Sequence, residues 1–195
     1  MAISQLGNGL YAAEHYEDAL SVDEARLSML RRVGASENNL LTARGNLACS
    51  YERLGRHEEA LSLRQEIYSG RVKLDGKEAE ETLRAANNYA STLVTLERFE
   101  EAKSLLRTMI PVARHILGEG GRLTLKMRKI YTKALFMDDA ATLDDLREAV
   151  TTLEDTERTA RRVLGGAHPT TEEIERALRQ AREALRARET PTPSN

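Results

Sequence analysis

Apolar residues recur along the chain at steps of three and four, as in Leu40, Leu47, Tyr51 and Leu54 or in Leu105, Met109 and Ile116. That is the period of amphipathic helices. No segment alternates strictly between apolar and polar residues and no Asn-Gly hairpin signal occurs, so strands are not predicted. The helical pattern also repeats. LGNGLYAAEHYEDAL (6–20), LACSYERLGRHEEAL (47–61) and YASTLVTLERFEEAK (89–103) align without gaps. Each carries a large apolar residue, a small one directly after it, an apolar or aromatic residue three further on, and an alanine nine residues later. These positions are Leu6/Gly7/Leu10/Ala19, Leu47/Ala48/Tyr51/Ala60 and Tyr89/Ala90/Leu93/Ala102, so the alanines stand 41 and then 42 residues apart.

A helical hairpin accounts for this pattern. Gly7, Ala48 and Ala90 are predicted where the first helix approaches the second closely, and Ala19, Ala60 and Ala102 do the same from the second. A hairpin of this kind cannot bury its apolar face alone, so neighbouring hairpins must stack. A fourth copy is altered: Tyr131, Thr132 and Leu135 match the first helix, while MDDAATLDDLREAV (137–150) replaces the compact turn and inserts about two residues. The helix that follows is long, with Leu146, Ala149, Leu153, Ala160 and Leu164 on its buried stripe. A final helix is predicted over about 170–188, with Ile174, Ala177, Leu178, Ala181 and Leu185 on one face and Arg176, Arg179, Arg182 and Arg186 away from it. Glu172, Glu173 and Glu175 at its start and arginines at its end suit the helix dipole, and it reads as a solubilising cap. Pro111 is expected to kink the second helix of the third hairpin or end it early.

The Leu-Gly pair followed by Tyr/Phe-Glu-Glu-Ala resembles the tetratricopeptide repeat, and the long period resembles its kinesin light chain variety. That family joins repeats through an L-G-x-x-H-P-x-T linker. Here the linker stands as Leu164, Gly165, His168, Pro169 and Thr171 and, degraded, as Leu117, Gly118 and Thr124. At Val33-Gly34 and Leu74-Asp75-Gly76 only the glycine turn remains. The resemblance covers almost the whole chain. It implies an all-α fold: a right-handed superhelix of antiparallel helix pairs (an α-α solenoid) with a C-terminal capping helix. The expected organisation is a single repeat domain over 1–188, with repeats at about 1–34, 35–76, 77–119 and 120–166 and the cap at 167–188. The Pro- and Thr-rich tail, 189–195, is expected to be disordered.

Composition narrows the setting. Charged residues make up 31% and aromatics 4%, Trp is absent, and a net charge of -2 gives no global attraction to nucleic acid or an anionic membrane. The single cysteine, Cys49, excludes an intrachain disulfide and points to a reducing compartment. No stretch approaches the ~18 consecutive apolar residues of a membrane span. The start lacks the basic and apolar regions of a signal peptide, so a cytoplasmic protein is expected.

No constellation for catalysis emerges, and the chain is read as not an enzyme, with no cofactor and no metal. His15, His57, His115 and His168 are scattered, none four residues from another, so no H-E-x-x-H metal face exists. Gly118-Glu119-Gly120-Gly121 follows a helix rather than a strand and lacks the Gly-Lys-Ser/Thr ending of a phosphate loop. Glu58-Glu59, Glu100-Glu101 and Asp144-Asp145 recur at a helix start, which indicates dipole complementarity rather than an acid/base pair. Cys49 is read as a small residue on a packed or groove face rather than as a reactive thiol.

The first helices of stacked hairpins line a concave side, and the stripe opposite their buried face follows from helical spacing. It comprises Gln5, Asn8 and Ala12; Thr42, Asn46, Cys49 and Arg53; Arg84, Asn88, Ser91 and Thr95, with Asn87 adjacent; and Lys126, Ile130, Lys133 and Met137, flanked by Lys129. An asparagine amide both donates and accepts, so Asn46 and Asn88, one period apart, can grip an extended peptide backbone. The resemblance implies cargo-peptide contact at Asn46 and Asn88, with Gln5 a more distant counterpart. Ile130 replaces the amide in the fourth copy, where the clamp is expected to end. Lys126, Lys129 and Lys133 form a basic patch suited to acidic residues in the bound segment; the patch is short and lacks stacking aromatics, so nucleic acid is not expected. The chain is therefore read as an adaptor or scaffold that binds an extended segment of a partner protein. The alternative is a module of a longer array that self-associates or docks through its uncapped N-terminal repeat.

Overall fold

The computed structural model describes residues 2–190; the expected tail, from 191 onward, lies outside them. Among the described residues there are nine helices and no strand: α1 (Ala2–Ala12), α2 (Tyr16–Arg32), α3 (Glu37–Arg53), α4 (His57–Asp75), α5 (Glu80–Thr95), α6 (Phe99–Leu117), α7 (Arg122–Phe136), α8 (Leu143–Leu164) and α9 (Pro169–Glu189). Helices α1 to α4 pack each against the next, as do α6 to α9, in the manner of the α-α solenoid class. The chain divides into two compact units, Met1–Thr92 and Leu93–Asn195.

The turn inside each hairpin is the same object three times. Glu14, Gly55 and Glu97, at aligned positions, have φ of 63°, 72° and 58°. In each case the next backbone N–H closes the preceding helix at 2.9 Å: His15 to the Leu10 carbonyl, Arg56 to Tyr51 and Arg98 to Leu93. The acidic pairs Glu58-Glu59, Glu100-Glu101 and Asp144-Asp145 sit in the first turns of α4, α6 and α8, as the dipole reading expects.

In the first unit, Gly7 and Ala48 of the first helices and Ala19 and Ala60 of the second are all buried, with Ala90 at 0% exposure in α5. A Cβ added at Gly7 would lie 3.2 Å from Asp23 Oδ1, so the close approach there has no slack. Leu20, Leu27, Ala43 and Leu47 form one core cluster, with Leu40, Tyr51 and Leu54 packed against it. Leu41, Ile67 and Ala85 join α3, α4 and α5, with Tyr68 alongside and stacked on Tyr89. Leu6 is 55% exposed although its counterpart Leu47 is 5% exposed, because no described helix packs ahead of α1.

In the second unit α6 runs unbroken through Pro111 to Leu117, so the expected early end does not occur. Pro111 is exposed, and the carbonyl of Arg107 that it deprives of a partner belongs to an exposed residue, where water can satisfy it. The buried stripe of α6 is Ala102, Leu106, Met109 and Ala113; Ile116, expected on it, keeps that face but is 41% exposed in the helix's last turn. Thr142 and Asp145 cap α8 reciprocally. His168 caps α9, its Nδ1 accepting the Thr170 N–H at 3.1 Å.

The last three interrepeat linkers share a glycine with positive φ, Gly76, Gly118 and Gly165 at 82°, 78° and 89°, followed six residues later by a fully buried threonine. Thr171 donates to the Gly165 carbonyl at 2.8 Å and Thr124 to Ala113 at 3.3 Å. Thr82 occupies the same place in the second linker, which therefore keeps more of the motif than its glycine.

Ala60 is 0% exposed at the crossing of α3 and α4. Ala60→Leu is expected to destabilise the fold by about 1–3 kcal/mol, read as a lower denaturant midpoint at unchanged m-value, since a packed interior has no room for the added methylenes.

Candidate functional site

The two units carry chemically different faces on their first helices, and each stands by itself. On α3, Asn46 and Cys49 are half-buried while Thr42 and Arg53 are exposed. The Asn46 amide donates to Asn8 Oδ1 on α1 at 3.4 Å, which joins two stripe residues across neighbouring hairpins. Arg53 is not free to reach outward: its Nε donates to the Tyr11 hydroxyl at 2.9 Å, and its guanidinium lies 5.5 Å from the Tyr11 ring centre and 5.8 Å from that of Tyr16. Cys49 meets a basic side chain of the paired helix. Arg64 Nη2, from α4, lies 3.2 Å from its sulfur, and the same guanidinium grips Glu52 at 3.0 and 2.8 Å. A contact from the paired helix is invisible to spacing along one helix.

On α5, Asn87 is buried and Asn88 half-buried, and the Asn87 amide donates to Asn88 Oδ1 at 3.3 Å. Asn87 Oδ1 is buried with no hydrogen-bond partner. An orphaned buried carbonyl is costly, and this one is shut off from solvent. Arg84 turns to its own helix, pairing with Glu80 at 2.8 Å and Glu81 at 3.5 Å on exposed surface. Ser91 is exposed further along the same helix.

In the second unit Lys126 is exposed, Lys129 and Lys133 are half-buried, and Ile130 is buried against the core at 8% exposure. Lys129 and Lys133 face α9 across a cleft of about 380 Å³ lined also by Glu173, Arg176 and Gln180. Lys129 is ion-paired to Glu173. Burial pushes the Lys133 ammonium below the usual lysine range; Lys129 adds to the effect, Glu173 opposes it and Arg176 adds to it. Three cations thus face one carboxylate, a cleft suited to a further anion. The α9 members were legible in principle. Aligning buried Thr124 with Thr171 sets Glu173, Arg176 and Gln180 opposite Lys126, Lys129 and Lys133, but the arginines were read as solubilising charge.

Among the described residues no group of three or more His, Cys, Asp or Glu could hold a metal ion, and no helix is long and apolar enough to cross a membrane.

Residues 39–115 match the family model of the tetratricopeptide repeat. Two solved structures of nearly identical TPR-like repeats, assigned to a kinesin light chain of Podosopora anserina, resemble the chain with TM-scores of 0.81 and 0.79. Each is 19% identical over 96% of this chain and 87% of that one. BtubC (BKLC) from P. vanneervenii is similar at a TM-score of 0.63 and 15% identity, over 99% of this chain and 82% of its own. No curated protein matches the sequence.

The charges around Lys133 make a direct prediction. Arg176→Gln is expected to raise the Lys133 pKa and Glu173→Gln to lower it further, followed by NMR titration of the lysine side-chain resonances. An anion bound in the cleft shifts it upward, with proton uptake from solution.

Proposed function

On a chain of tetratricopeptide repeats of the kinesin light chain type, we propose that the first helices bind an extended segment of a partner protein. The fold itself is one that serves protein–protein interaction, through surfaces that stacked helix pairs present. The observation that carries the narrower reading is the pair of half-buried amides Asn46 and Asn88, one period apart, each in an amide–amide hydrogen bond that leaves further donor or acceptor capacity. Asn46, linked to Asn8, leaves its own Oδ1 outside that bond. Carboxamides in this state offer both donors and acceptors to a peptide backbone without demanding a sequence. In the second unit, taken by itself, the cleft at Lys129 and Lys133 suits a segment that carries carboxylates. Work by binding rather than by catalysis follows, since the polar side chains on these faces are engaged as amide and ion pairs rather than as an acid, base or nucleophile in reach of one another.

A second reading has its own support in the first unit, where Leu6 and Val33 are 55% and 65% exposed. Exposed apolar side chains of this size suit docking against another copy or a neighbouring domain.

A peptide array probed with wild type and with Asn46→Ala/Asn88→Ala separates the two. Loss of about tenfold or more in affinity for unphosphorylated peptides, with helicity unchanged, is expected from removing two backbone-binding amides. Unchanged binding in the double variant sinks the amide reading. Sedimentation at several concentrations tests the second: a dimer abolished by Leu6→Ser favours self-association.

A further inference from the structure

Helix α9 has two flanks. Its buried stripe, Ile174, Ala177 and Ala181, separates the flank at Lys129 and Lys133 from one that runs along α8. We propose that this second flank is a docking surface for a phosphorylated segment of a partner protein. The inference is independent of the peptide-binding faces described above.

A cleft of about 460 Å³ runs between α8 and α9 over Leu178, and continues into one of about 250 Å³ that shares Glu157, Arg161, Leu178 and Arg182. Every cation lining the two is an arginine: Arg158, Arg161, Arg162, Arg179 and Arg182. They face three carboxylates, Glu154, Glu157 and Glu175, which leaves an excess of two positive charges.

The carboxylates are spent on two of the arginines. Arg161 is held between Glu157 at 2.7 Å and Glu175 at 2.6 Å, and Arg182 is held by Glu154 at 2.7 Å. The pairs Arg161–Glu175 and Arg182–Glu154 bridge α8 to α9 and so keep the cleft walls in place. Arg158, Arg162 and Arg179 are exposed and make no salt bridge among the described residues. Arg158 and Arg162 thus line the larger cleft and Arg179 the smaller, each without a salt bridge though Arg158 also acts on the Asp155 carboxylate, and the two clefts share the apolar floor at Leu178, which is 7% exposed.

A phosphoryl group carries about 1.5 to 2 negative charges at neutral pH and accepts through three oxygens, which matches the charge excess of the lining. Planar guanidiniums bind it bidentately, as lysine cannot. No aromatic side chain lines either cleft, so bases have nothing to stack on, which disfavours single-stranded nucleic acid.

The test is fluorescence anisotropy with a degenerate decapeptide pool carrying a fixed central phosphoserine, beside the same pool with serine or glutamate there. The phosphorylated pool is expected to bind wild type about tenfold more tightly than either other pool. That preference is expected to vanish in Arg158→Gln/Arg162→Gln/Arg179→Gln, with helicity intact because none of the three holds a salt bridge. Binding of unphosphorylated peptides selected on the array is expected to persist in that variant, so failure here and failure of the peptide-binding reading are told apart. Equal binding of the three pools overturns the proposal. So does a phosphoserine preference that survives the arginine variant but is lost in Lys129→Gln/Lys133→Gln. Tighter binding of an oligothymidylate of equal charge, or of phosphatidylserine vesicles in place of the phosphopeptide pool, overturns it too.

Discussion

Side chains no larger than a methyl group at the helix crossings are what everything else here rests on. Ala19, Ala48, Ala60, Ala90 and Ala102 are completely buried, and Gly7 has a carboxylate oxygen 3.2 Å from where its Cβ would be. With the crossings this tight, each hairpin's larger apolar residues are driven to its flanks, where Leu20, Leu27, Ala43 and Leu47 meet as one cluster between hairpins. Stacking is then obligatory, and the orientation of the polar stripes follows from it. The asparagines and lysines are where they are because the alanines leave them no other side.

Tight crossings alone would make the hairpins interchangeable. Buried polar contacts between consecutive hairpins are each different. Ser50 donates to Asp23 at 3.1 Å, and the Asp23 carboxyl is pushed up by burial, against the Ser50 hydrogen bond and the Arg26 charge, which pull it down. At the aligned position Arg64 stands, gripping Glu52, which also accepts from Thr92 at 2.8 Å. At the next it is Leu106, fully buried. An acid, a base and an aliphatic residue at one repeat position cannot exchange neighbours without stranding a charge, and a stranded buried charge costs more than the pair contributes. These residues keep the order of the hairpins as much as their stability.

Most of the fold was legible because it is written in small residues and glycines at fixed spacing, features that no other packing requires. The contents of the faces were less legible, since helical spacing reports which side a residue is on but not what reaches it from another helix. Arg53 falls on the predicted stripe yet is engaged by Tyr11, and Cys49 meets Arg64 from the paired helix. Pro111 misled for a related reason: its cost depends on whether the freed carbonyl sees water, and on that exposed edge of α6 it does. Thr82 was hidden because its linker has lost the leucine-glycine and histidine-proline steps while keeping the buried hydroxyl position.

The cap helix shows how one element can be read too simply from composition. Helix α9 has one apolar stripe, Ile174, Ala177, Leu178 and Ala181, and a polar remainder. Solubility alone would be served by charges of either sign in any order. Instead Glu173 and Arg176 meet the lysines of α7 on one flank, while Glu175, Arg179 and Arg182 meet the arginines of α8 on the other. On both flanks carboxylates are held in ion pairs that bridge to the neighbouring helix (Glu157, paired within α8, is the exception), and the surplus in each is positive. The carboxylates that fasten the cap are the same groups that orient its cations, so closing the core and building two anion-seeking clefts are one piece of chemistry.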